Sequence, residues 1–102
     1  KLSTTELERL TRCYTRALKN DIGPEKDIPA PDVYTTPQIM GWIMDEFSKI
    51  KGYNVPGVVT GKPLELGGSA GRGTATAQGG FYVLEEIVKK LEKSLPPEKA
   101  VL

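Results

Sequence analysis

Histidine is absent from this 102-residue chain, cysteine occurs once, at Cys13, and no apolar run reaches the roughly 20 residues that span a bilayer. The first two absences remove disulfide frameworks, zinc sites of the Cys/His type and every mechanism that relies on an imidazole base. They fit a reduced, cytoplasmic setting, and the start KLSTTELERL lacks the apolar core of a secretion signal. An excess of either charge is missing too. With 14 basic and 13 acidic residues, no overall field draws nucleic acid or anionic lipid. The Lys-rich VKKLEKSL is broken by Glu92 and spaced like the wet face of a helix, so neither nucleic acid nor a membrane is expected as a partner. Nucleotide loops are also wanting: GRGTAT places Thr76 where GxGxxG needs its last glycine, and Gly61-Lys62 is followed by Pro63 rather than by a Walker hydroxyl. A chain of this length holds one modest core.

What is present begins with a helix-start pattern. Ser3 can cap, Glu6 can reach back to it, and Leu2 can pack on Leu7, so a helix is predicted from about Thr4 to Lys19. Its apolar face would be Leu7, Leu10, Tyr14, Ala17 and Leu18, with Cys13 at the border as a buried structural thiol. After Gly23-Pro24, DIPAPDV is too rich in proline for a helix or a central strand and reads as an extended, edge-like segment. A second helix is predicted from Thr36-Pro37 to Lys51, ended by Gly52, with Ile39, Met40, Ile43, Phe47 and Ile50 as its apolar stripe. VPGVVTGKP suggests a short strand around residues 57–60 and a turn at 61–63. The glycine-rich LELGGSAGRGTATAQGGF is either a flexible linker or a loop and helix start where a ligand or another backbone comes close. A last helix follows, with Leu84, Ile87, Val88, Leu91 and Leu95 on one face, Glu85–Lys89 and Glu86–Lys90 pairs, and an end at Pro96-Pro97; EKAVL resembles the onset of a buried strand.

Two side chains are candidates for chemistry. Prolines 29 and 31 restrict the backbone around Asp32, and the helix start that follows leaves N–H groups unpaired. From spacing alone Asp32 is first of all an acceptor near that helix start; Asp27 reads as structural. Arg72, among glycines, could grip a carboxylate or phosphate with two hydrogen bonds, though single loop arginines are usually solvated.

Taken together, DIPAPDVYTTPQIMGWIMDEFSKIKG, VVTGKPLELGGS and GRGTATAQG, in this order, resemble the glutamate dehydrogenase family of amino-acid dehydrogenases. The resemblance implies an α/β fold: a partial substrate domain, helices on a short mixed sheet, ending at the start of a Rossmann domain. Residues 1–70 would be the later part of the substrate (dimerisation) domain and 71–102 the connecting helix and the onset of the dinucleotide-binding domain. It implies reversible oxidative deamination of L-glutamate to 2-oxoglutarate and ammonia with NAD or NADP, in a homohexamer. The PAPD aspartate, Asp32, would be a catalytic proton shuttle between the substrate nitrogen and water. In the R-x-x-A-T motif, Arg72 would contact substrate and Thr76 the nicotinamide amide; Lys62 of TGKP would be structural. The catalytic lysine of the family would lie outside these residues, so the 102 residues alone are expected to be inactive. Leucine and phenylalanine dehydrogenases lack a PAPD-type sequence here, which favours glutamate. The competing reading is a non-catalytic remnant that binds a partner subunit through its apolar helices.

Overall fold

The computed structural model describes residues 1–91. The chain divides into two compact units, Lys1–Ser69 and a second that begins at Ala70. The first contains two helices, α1 (Thr4–Ala17) and α2 (Pro37–Lys51), and two short 3₁₀ turns, Pro56–Val58 and Leu64–Leu66. The second contains one helix, α3 (Arg72–Lys90).

The start of α1 is a capping box. Ser3 N donates to Glu6 Oε2 at 2.8 Å, and Glu6 N donates to Ser3 Oγ at 3.2 Å. Its buried face, however, is centred on Thr11 and Thr15, 6% and 0% exposed, while Leu10 and Tyr14 are 56% and 51% exposed. Each threonine hydroxyl donates to the carbonyl four residues back, Thr11 to Leu7 and Thr15 to Thr11, so its methyl can be buried with no polar atom unpaired. Cys13, two residues from each threonine, therefore falls on the opposite side of the helix and is exposed, not buried as its position in the apolar pattern suggested.

Helix α2 has the predicted bounds. Thr36 Oγ1 accepts from Ile39 N at 3.3 Å, Pro37 fills the first position, and Gly52 at φ 82 closes the last turn by donating to Ser48 O. Ile39, Met40, Ile43, Met44 and Phe47 join Ile22, Val55, Val58 and Val59 in the core, and Leu7, Leu18 and Trp42 pack on its edge. A polar clamp adds to this packing: Arg12 of α1 reaches Glu8 (2.9 Å), Asp45 (2.7 Å) and Glu46 (3.2 Å), and Arg16 reaches Glu46 (3.0 Å).

The strand expected around residues 57–60 is not formed. Pro56 starts a 3₁₀ turn instead, and although Val59 is extended, a strand exists only with a partner ladder. The neighbouring extended segment offers acceptors but, at Pro29 and Pro31, no donors; the link is one bond from Thr60 N to Pro29 O at 3.1 Å. Among the described residues, then, there are three α-helices and no strand, with one isolated bridge between Ile22 and Asp27, and the expected mixed sheet is absent from them. The Rossmann onset at KAVL, Leu95 and the helix end at Pro96 lie outside the described residues.

In the second unit the glycine-rich stretch is helical from Arg72 onward, so it is a helix start rather than a linker. Gly71, at φ 84, forms the N-cap. No residue of α3 is buried; Leu84, Ile87 and Leu91 of its apolar face are exposed. The expected i,i+4 pairs give way to one i,i+3 pair, Lys89 Nζ to Glu86 Oε1 at 3.1 Å. No described helix is long and apolar enough to cross a membrane.

Candidate functional site

Asp32 sits in a turn that it largely builds itself. Its carbonyl accepts from Thr35 N (3.0 Å) and from Thr35 Oγ1 (2.8 Å), and its own N–H donates back to that same hydroxyl. Its Oδ1 accepts from Val33 N at 2.7 Å, which orients the carboxylate against its own backbone. Tyr34, between them, has φ 62, a left-handed conformation that costs a side-chain-bearing residue about 1–2 kcal/mol. Asp32 is exposed, and it does not serve α2, whose start is capped by Thr36. The acceptor role that spacing favoured is thus confined to its own turn.

Behind the carboxylate, Pro29 and Pro31 are half-buried against the TGKP turn. Gly61 adopts φ 70 directly beneath Pro31: a Cβ there would lie 2.6 Å from Pro31 Cδ and closer still to Cγ. Lys62 Nζ donates to Val59 O, a structural use that fits its expected role. A Cβ on Gly68 would meet Pro63 O at 2.8 Å and Lys62 O more closely, so only glycine fits there. The turn at 61–63 was expected, but the seat of Pro31 on Gly61 was not; the available signal was the glycine opening that turn, a residue that adopts positive φ without strain.

Beside the Asp32 turn opens an apolar cleft of about 340 Å³. Leu7, Leu10 and Tyr14 of α1 face Ile39, Met40 and Ile43 of α2 across it, and Pro29, Ala30, Tyr34 and Thr35 form the remaining wall. Leu10 and Tyr14, which sequence periodicity assigned to the apolar face of α1, therefore line an open surface.

Arg72 and Thr76 belong to the second unit and Asp32 to the first. They occupy the first two turns of α3 one turn from each other, hence on one face, and both are exposed. No side chain caps this helix start, and added Cβ atoms at Gly71 and Gly73 would meet nothing, so the space beside both glycines is open.

Residues 1–49 match the dimerisation domain of Glu/Leu/Phe/Val dehydrogenases. The chain is 61% identical over 89 residues to the catabolic NAD-specific glutamate dehydrogenase of Bacillus subtilis, covering 87% of this chain and 21% of that protein. It is 48% identical over 101 residues to the NAD-specific glutamate dehydrogenase of Staphylococcus aureus, covering 99% and 24% respectively. Among solved structures, a hetero-hexameric glutamate dehydrogenase from Thermus thermophilus in its Leu-bound form superposes with a TM-score of 0.87 at 50% identity, over 91% of this chain and 22% of the other. The chain therefore spans 21–24% of the length of these relatives.

Proposed function

We propose, from the match of residues 1–49 to the dimerisation domain of Glu/Leu/Phe/Val dehydrogenases, that the chain is a segment of a glutamate dehydrogenase. The full-length enzyme would carry out reversible oxidative deamination of L-glutamate to 2-oxoglutarate and ammonia. The supporting observation is the turn at Asp32, which presents an exposed carboxylate on a hydrogen-bonded backbone.

Asp32 takes a proton from the substrate nitrogen and exchanges protons between that nitrogen and water, work that calls for a carboxylate within hydrogen-bond reach and in a constant orientation. The tether from Val33 N and the Thr35 bridge supply the constancy. Excluding bulk water falls to the parts of the full-length enzyme that close over this face, since no described residue buries Asp32. Both curated relatives are NAD-specific, so NAD is proposed over NADP. When bound, it supplies the hydride acceptor. The start of α3 suits such a group: it is exposed, Gly71 and Gly73 leave open space around the backbone, and Thr74 and Thr76 each carry a hydroxyl able to both donate and accept. Thr76 would hold the nicotinamide amide and Arg72 a substrate carboxylate.

Residues 1–70 would form part of the substrate (dimerisation) domain and 71–102 the connection into a dinucleotide-binding Rossmann domain. A cytoplasmic homohexamer is the proposed assembly. The test is the substrate profile of the full-length enzyme. Glutamate should be oxidised far faster than leucine, phenylalanine or valine; a preference for leucine or phenylalanine would assign a sister activity.

The subunit-interaction reading draws on the open cleft lined by Leu10 and Tyr14. It separates from the enzyme on the same assay, because an interaction module without catalysis would reduce no NAD with any amino acid.

A further inference from the structure

We infer that Gly61 is a positioning residue for Asp32, acting through the ring of Pro31; this rests on the proton-relay reading of Asp32. The segment leading into Asp32 is poorly equipped to hold itself, since Pro29 and Pro31 carry no N–H. It is held from outside by the TGKP turn at two points. One is the hydrogen bond from Thr60 N to Pro29 O at 3.1 Å. The other is the seat of Pro31 on Gly61, where a Cβ would stand 2.6 Å from Cδ and nearer to Cγ. A proline ring is tied to the backbone at both ends, so it cannot swing aside as a flexible side chain would. The turn below is equally unable to give: Lys62 Nζ is fastened to Val59 O, and Gly68 packs against the Lys62 and Pro63 carbonyls. Gly61 itself needs φ 70, where a side chain is strained before any clash. A methyl at Gly61 therefore pushes Pro31 outward, and with it the peptide that begins Asp32. A displacement of about 1 Å at a reacting group can cost about a hundredfold in rate.

The experiment uses the full-length enzyme with Gly61→Ala, Pro31→Ala, Asp32→Asn and the two double variants with Asp32→Asn. Gly61→Ala should lower kcat for glutamate by about tenfold to a hundredfold while KM for NAD stays near its original value. On the Asp32→Asn background the same substitution should change kcat by no more than about twofold, because residues acting through one group are not additive. A near-normal kcat for Gly61→Ala, or an equal loss on both backgrounds, overturns the inference. Should Gly61→Ala not assemble, Pro31→Ala removes the same contact from the proline side. Its kcat loss should likewise disappear with Asp32→Asn, and an undiminished loss there, or none in either background, is equally fatal. If Asp32→Asn alone turns over normally, the relay reading fails; if it is slow and Gly61→Ala is not, only the positioning role fails.

Discussion

At Asp32, Thr35 and Tyr34 the local hydrogen bonds explain why the backbone tolerates φ 62 at a tyrosine: the Thr35 hydroxyl both donates to and accepts from Asp32, and that closes the turn. The prolines made this rigidity legible in the sequence, but the turn type was not, because it depends on which partner a threonine hydroxyl selects. Cys13 and the threonines of α1 teach a similar lesson. Periodicity counts threonine as polar, yet Thr11 and Thr15, satisfied by carbonyls of their own helix, take the buried positions that Leu10 and Tyr14 were expected to fill. Where an aromatic is enclosed, the energetic expectation is direct. Phe47 is 1% exposed, so Phe47→Ala should destabilise the full-length enzyme by about 3–5 kcal/mol, read as a lowered midpoint of thermal unfolding. A loss below about 1 kcal/mol would mean that the site collapses without leaving a cavity.

Among the elements, α2 was read from end to end because its stops are written in residue types with one physical use each: Thr36 as cap, Pro37 first, Gly52 in the left-handed region. Thr36→Ala should cost about 1 kcal/mol in thermal or urea unfolding, while Thr36→Ser should be near neutral. The clamp between α1 and α2 was invisible to sequence, since Arg12 meets Asp45 and Glu46 more than thirty positions away. Burial alone would lower the Arg12 guanidinium, but its hydrogen bonds to Asp45, Glu8 and Glu46 outweigh that and raise it. Asp45 is held below its ordinary value chiefly by Arg12, against the effect of burial and with help from Lys49. Glu46 is lowered as well: burial pushes it up, and the bonds from Arg16 and Arg12 more than reverse this. Both carboxylates thus have folded values below their ordinary 3.8 and 4.5, so their contribution is complete well above those values and is lost as pH falls below them and through the folded values. Acidification from pH 6 to about pH 3.5 should lower the unfolding midpoint, and less steeply in Arg12→Met, which removes the shared partner. Parallel curves for the two proteins would show that the clamp carries no pH-dependent stability.

On the scale of the whole molecule, the α/β expectation met three helices and no strand among the described residues. Val58 and Val59 have the composition of a buried strand and are indeed buried, 0% and 2% exposed, but composition reports burial and cannot provide a pairing partner. Of the candidate residues, Asp32 belongs to the first unit and Arg72 and Thr76 to the second, and each was singled out by a motif rather than by contact. Because the catalytic lysine and the dinucleotide-binding domain that the resemblance implies would lie outside these residues, the 102-residue chain by itself should give no glutamate-dependent reduction of NAD; measurable turnover from it would show that its own residues complete a site. The most direct test of the central claim is kcat for glutamate oxidation by the full-length enzyme carrying Asp32→Asn. Loss of general acid–base assistance predicts a fall of about two to four orders of magnitude with the folded assembly retained, whereas a rate near that of the unsubstituted enzyme would return Asp32 to a purely structural role in its turn.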